Sequence, residues 1–191
     1  RCTSTQPWTC SQCTIDRSKV EPLHPSHLQK LEERSLTHEI YSASDGSVKG
    51  AGTGHSSSSF GLVIDHLHTN VRRRGKITIR EGEESSLRVE LEALIHAYYL
   101  IPSHIKTIHA IDNETALEIH NSLALTGLPP QRKLMHMPYH STIVRLNTAM
   151  QHRKTFLDLT HTLSHLEATT TQDTDLKHRR DALAKADHEA D

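Results

Sequence analysis

Three carboxylates, Asp45, Glu90 and Asp112, fall where their neighbours predict burial. Asp45 ends the apolar-alternating run His38 to Ser44. Glu90 sits in the arc that Leu87, Leu94 and Ala97 define on a helical wheel. Asp112 follows the apolar run Ile105 to Ile111. An ionised carboxylate in such surroundings costs several kcal/mol unless something pairs with it. Three of them in one domain constrain the fold to bring them to a common partner, and a divalent cation is the simplest one.

Taken singly, each acid also has a plainer reading. Asp before Gly46 suits a turn, with Gly46 giving the backbone room. Glu90 could snorkel from a helix border. Asp112 before Asn113 could cap the next helix.

The hydropathy pattern orders the elements. Residues 38–44, 60–64 and 76–80 read as three strands separated by turn signals, an antiparallel meander. A helix is predicted over about 85–100, a strand over 105–111 and a helix over 113–123. Residues 124–137, with Gly127 and Pro129-Pro130, read as a loop. Weak helical character follows over 141–152, then an alternating strand over 156–163, a polar loop and a last helix over about 173–191. A strand that follows a helix can join the sheet in parallel, so the expected fold is an α/β mixed sheet with helices against it. Residues 1–36 form a separate piece, a linker or small zinc-binding segment, and 37–191 the main domain. The first 36 residues hold all three cysteines, the single Trp and three of the seven prolines.

Composition narrows the function classes. The 191 residues suit one domain with an appendage. Hydrophobic content of 35% with 4% aromatics calls for a small aliphatic core. A net charge of −1 means that any polyanion site is a local patch. No apolar run reaches the length of a membrane span. Three clustered cysteines make no disulfide framework and favour a reducing compartment, an intracellular one such as cytoplasm or nucleus. The first residue is Arg1, which reads as a fragment.

The segments around the acids are Asp45-Gly46-Ser47, Val89-Glu90-Leu91-Glu92-Ala93 and Asp112-Asn113. In that order and with those neighbours, residues 38–191 resemble the ribonuclease H family in the form attached to reverse transcriptases of retroelements. The resemblance implies a ribonuclease H-like fold, a five-stranded mixed sheet with helices on both faces. It implies an endonuclease that hydrolyses the RNA strand of RNA–DNA hybrids with two magnesium ions sharing Asp45. Hard oxygen ligands suit Mg²⁺, with Mn²⁺ able to substitute. The implied partners are the hybrid and an adjoining reverse transcriptase domain, with no membrane.

The family pattern ends in a His and a fourth acid. Ser164-His165 fits the histidine, whose role would be proton shuttling or product release. For the fourth acid, Asp181 has the downstream match Asp-Ala-Leu-Ala-Lys. At about 100° per residue, however, Asp187 falls among Leu176, Leu183, Ala184 and Ala190, while Asp181 lies about 120° away beside Lys177 and Lys185. Asp191 is within about 40° of Asp187. The ranking is Asp187, Asp191, Asp181.

Two further features remain. Residues 71–80 carry five basic side chains and no acid. They read as a solvated hairpin or as phosphate contacts through Arg72, Arg73, Arg74 and Lys76. Contacts to RNA 2′-hydroxyls are expected around Gly46, Ser47, Asn113 and Glu114. Cys10 and Cys13 with His24 and His27 have a spacing that can hold a structural zinc, or belong to a linker. Beside the nuclease reading stand two others, a catalytically decayed copy of the same fold and a zinc-dependent nucleic-acid-binding module.

Overall fold

The computed structural model describes residues 22–51, 57–77, 85–153, 155–162 and 174–190. Its elements run α1 (Pro25–Ser35), β1 (Ile40–Lys49), β2 (Ser57–Ile64), β3 (Val71–Ile77), α2 (Ser86–Leu100), β4 (Thr107–Ile111), α3 (Glu114–Thr126), α4 (Gln131–His136), α5 (His140–Gln151), β5 (Asp158–His161) and α6 (Thr174–Ala190). The strands form one sheet in the order β3-β2-β1-β4-β5. β1, β2 and β3 pair antiparallel, whereas β4 joins β1 and β5 joins β4 in parallel. Helices must link the parallel strands, and they cover both faces of the sheet.

The two faces are packed differently. On one, α2 and α5 bury a large aliphatic core that includes Leu62, Ile64, Leu91, Leu94, Ile95, Ile143 and Leu146. On the other, α6 lays Ala182, Leu183 and Ala186 against Ala43, Val63 and Ala110. Small side chains let this helix come close. A Cβ on Gly61 of β2 would stand 1.9 Å from the Ala186 carbonyl oxygen, so only glycine fits there. Ser59 donates a hydrogen bond to the Ala190 carbonyl, which ties the end of α6 to the same strand.

Several expectations change. The segment set apart as 1–36 contains α1, whose Leu31 is fully buried in the main core with Leu23 beside it. Arg34 of α1 also reaches Asp65 at 3.6 Å. The loop expected over 124–137 contains the end of α3 and the short helix α4, with Leu134 as its buried anchor. The third strand, expected over 76–80, begins earlier, at Val71, and is described to Ile77; residues 78–80 lie outside the described residues. The basic run is therefore strand rather than turn. The reversal before it is built by Asp65, whose carboxylate accepts from the Thr69 backbone N–H at 3.0 Å and from its hydroxyl.

Candidate metal centre

β1 does not end at Asp45. It runs on to Lys49, with Asp45 opposite Gly61. Asp45-Gly46-Ser47 is mid-strand, not a turn, and Gly46 serves another purpose. A Cβ at Gly46 would lie 2.8 Å from the backbone of Val89 and Glu90. Glycine is what allows α2 to cross β1 in contact.

The neighbouring strand β4 stops at Ile111, and its last pair with β1 is Ala43↔Ala110. Beyond that pair the β4-side edge of β1 has no strand partner among the described residues. The Gly46 N–H donates there to Glu90 Oε1 at 3.0 Å. Asp112 comes just after the end of β4, and Asn113 caps α3 by accepting from the Ala116 N–H at 3.0 Å. The cap of α3 is thus Asn113 rather than Asp112, and Asp112 lines the cavity at this gap.

Asp45, Glu90 and Asp112 each offer an oxygen, and these oxygens lie within 4.8 Å of one another. Asp45 is 6% exposed and Glu90 4%, while Asp112 is half-buried. Glu90 Oε2 is buried without a hydrogen-bond partner. Burial, then the charges of Asp112 and Asp187, push the Asp45 carboxyl up to about 6, against a lowering effect of the adjacent Glu90 carboxyl and the Gly46 N–H. Glu90 is raised well above the usual carboxylate range by burial first and by Asp45 and Asp112 next. Such repulsion among buried carboxylates is relieved by a bound cation.

The acids open into a cavity of about 320 Å³ whose walls include Gly46, Ser47, Ser86, Asn113 and Asp187. Two clefts elsewhere are larger, at about 390 and 530 Å³, but neither gathers acids. Chemistry rather than size marks the site.

Asp187 is half-buried at this cavity. Its position differs from the wheel argument in one respect. The buried residues of α6 are Ala182, Leu183, Ala186 and Ala190, and Ala184 is exposed. At about 100° per residue this puts Asp187 at the border of the buried face, not in its middle. Asp181 is exposed in the 530 Å³ cleft with His66, Arg72 and Lys185. Asp191, His165, Cys10 and Cys13 lie outside the described residues. His24 caps α1, accepting from the Ser26 N–H at 3.3 Å, with the His27 ring 6.1 Å away.

The basic run divides. Along β3, Arg72, Arg74 and Lys76 alternate with Arg73, so the three arginines do not share a face. Gly61 faces α6 and pairs with Arg74, which puts Arg72, Arg74 and Lys76 on the α6 side. Arg72 is engaged by Glu189 at 3.2 Å. The register Asp45↔Gly61↔Arg74 sets Arg74 two strands, about 10 Å, from Asp45. Glu114 opens α3 and is not part of the cavity wall.

Among the buried polar groups that sequence reasoning missed are Glu92 and His109. Glu92, 4% exposed, is held by Arg145 through bonds of 2.5 and 2.8 Å. His109 of β4 is fully buried between Ser42 Oγ at 2.7 Å and Ser44 Oγ at 2.9 Å. Burial above all, with His120 and Arg153 nearby, brings its pKa down to about 3. The alternating Ser42 and Ser44 were the available signal, since hydroxyls on the inward face of a strand need a partner.

No family model and no curated protein matches the chain. Solved structures do. The crystal structure of prototype foamy virus protease–reverse transcriptase is similar at 17% identity and a TM-score of 0.53, over 93% of this chain and 22% of that one. The chain thus spans about a fifth of that protein. The PFV RNase H domain in solution is similar at 13% identity and a TM-score of 0.49, over 80% and 92% of the two chains. LC11-RNase H1, crystallised with an RNA/DNA hybrid, is similar at 16% identity and a TM-score of 0.47, over 78% and 92%. The five-stranded mixed sheet and the likeness to the foamy virus protease–reverse transcriptase give the chain a ribonuclease H-like α/β fold.

Proposed function

We propose that this chain is a divalent-metal-dependent endonuclease that hydrolyses the RNA strand of RNA–DNA hybrids, and that it works beside a reverse transcriptase domain. One observation carries the reading. Glu90 is buried, raised in pKa and left with an unpartnered Oε2 beside two further carboxylates. Two residues along the same helix, Glu92 is buried with an arginine of its own. Among the described residues a side-chain cation is paired with Glu92 and none with Glu90, which fits a site made for a bound ion.

The donor set fits the group. All ligand atoms are carboxylate oxygens, the hard donors that Mg²⁺ and Mn²⁺ prefer over the nitrogen and sulfur donors of zinc. Asp45, Glu90 and Asp112 would hold the ions, with Asp187 approaching from α6. When bound there, two such ions would supply Lewis-acid chemistry for water and the phosphoryl group.

The chain's own residues do the rest. The Gly46 N–H fixes the Glu90 carboxylate. Burial of Asp45 and Glu90 excludes bulk water from their inner oxygens and strengthens their hold on a cation. Ser47, Ser86 and Asn113 provide polar walls suited to the 2′-hydroxyls and sugar edges of an RNA strand. Arg74 and Lys76 carry exposed charge suited to phosphates of the duplex. A foamy viral protease–reverse transcriptase whose structure has been determined in complex with an RNA/DNA hybrid is similar to this chain at 12% identity and a TM-score of 0.50, which supports the reading.

The deciding experiment uses a hybrid labelled on the RNA strand, with RNA and DNA duplexes as controls. Cleavage confined to the RNA of the hybrid, present with Mg²⁺ and lost with chelator, is the expected result. No cleavage of any substrate under Mg²⁺ or Mn²⁺ would overturn the reading.

A further inference from the structure

Asp112 differs from the other two acids of the cluster in how it is held. Asp45 is fixed within a paired strand, and Glu90 within a helix. Asp112 sits on the short link between Ile111, the last residue of β4, and Asn113, the cap of α3. Both neighbours are anchored. The Ile111 carbonyl accepts from the Thr162 N–H at 2.9 Å, and the Asn113 carbonyl accepts from the Leu117 N–H at 3.1 Å. Between them, the Asp112 carbonyl is met by the ring of His161, with Nε2 at 2.9 Å. His161 is the last residue of β5 and stands opposite Ile111 in the parallel register.

A carbonyl oxygen can only accept, so Nε2 carries the hydrogen and Nδ1 faces away. The ring therefore clamps the peptide plane that follows the Cα of Asp112. The direction in which the Asp112 carboxylate leaves the backbone depends on that plane.

We infer that His161 is a positioning residue for the metal centre, setting the backbone from which Asp112 reaches the ions. The inference rests on the metal reading of the acid cluster. It gives a physical task to a histidine that is exposed, outside the cavity wall and four residues before the histidine singled out in the sequence. Groups that orient metal ligands from behind typically shift metal affinity by about 10- to 100-fold when removed. The Asp112 carbonyl can be rehydrated at this half-exposed position, so the lower end applies.

The test is calorimetric titration of Mn²⁺ into the full chain, with Asp112→Asn as the reference for a lost ligand. His161→Ala should weaken Mn²⁺ binding about tenfold while leaving the metal-free melting temperature close to that of the parent. His161→Gln, whose amide can donate to the same carbonyl, should restore most of the affinity. Equal affinity in His161→Ala and the parent overturns the inference. So does a His161→Gln variant as weak as His161→Ala, because the effect then does not run through the hydrogen bond. If the parent binds no Mn²⁺, or Asp112→Asn binds it equally well, the metal reading itself fails, and that pattern is distinct from the other two.

Discussion

Glu90 and Glu92 are both 4% exposed and two residues apart on α2, yet they have opposite fates. Glu92 meets Arg145 from α5, while Glu90 meets the Gly46 N–H and two more carboxylates. The sequence pointed to Glu90 and left Glu92 unremarked. A period of 3.6 residues places a carboxylate on a face but does not say whether an arginine about 50 residues later will meet it. Asp45 and Asp112 were legible for a simpler reason, as each follows a short apolar run at a glycine or an asparagine. Exchanging Asp45 for Asn removes a charge from the repulsive cluster with little change of shape. The expected outcome is loss of hybrid cleavage together with a metal-free protein more stable by about 1 kcal/mol at pH 7, read by thermal denaturation. Retained Mg²⁺-dependent cleavage in that variant would remove Asp45 from the site. The raised Asp45 pKa also sets a pH dependence. A proton competes with the ion below about 6, so divalent-ion affinity should fall as the pH drops through that value, by up to about tenfold per unit.

At the scale of elements, glycines and edges decide the geometry. Gly46 was taken for a turn residue because Asp-Gly-Ser suits a turn. In the fold it is the point where α2 touches β1, a long-range contact that no local window reveals. A Gly46→Ala change should push α2 outward, cost about 1–3 kcal/mol and abolish cleavage, since Glu90 moves with the helix. An unaltered rate in a folded Gly46→Ala protein would show that the contact is not needed. The basic run on β3 was read as a block, yet strand pairing sorts it by parity and Glu189 engages Arg72. Hybrid binding should weaken linearly in log–log form with salt. Arg74→Ala and Lys76→Ala should each reduce the magnitude of that slope by roughly 0.7–0.9, whereas Arg72→Ala should change it little. Equal slopes for all the variants would assign the β3 charges to solvent. The order of strands and helices was legible from periodicity. The extent of β1, the place of α4 and the membership of α1 in the core were not, because each depends on a partner distant in sequence.

At the scale of the whole molecule, buried histidines oppose the acid cluster. His109 is held near 3, and His66 is brought down to about 4 by burial, then by Lys185 and His178. Both stay neutral in the folded protein while the unfolded chain takes up protons below about 6.5. Their contribution is present above that pH and is lost as pH falls, by up to about 1.4 kcal/mol per unit for each. Asp45 acts in the other sense. Its folded form keeps a proton from about 6 down to the unfolded value of 3.8, so the metal-free protein regains some stability over that interval. The melting temperature should therefore fall on acidification below pH 6.5, and the fall should be steeper in saturating Mg²⁺, where Asp45 no longer compensates. Identical pH profiles with and without the ion would contradict a bound cation at Asp45.

α6 lies in contact with β1 and β2 through Ala186, Ala190 and the gap left by Gly61. Its consequence is one of timing. The carboxylates at 45, 90 and 112 can gather once the sheet and α2 have formed, but the cavity wall at Asp187 arrives only when a helix more than 60 residues further along the chain has closed over the sheet. Such a long-range closure is slow compared with local helix formation. A ribosome-bound or truncated chain lacking α6 exposes Ala43, Val63 and Ala110 and holds an unfinished acid cluster. On the proposed function, nuclease competence waits on the docking of α6 and is coupled to the burial of that apolar face.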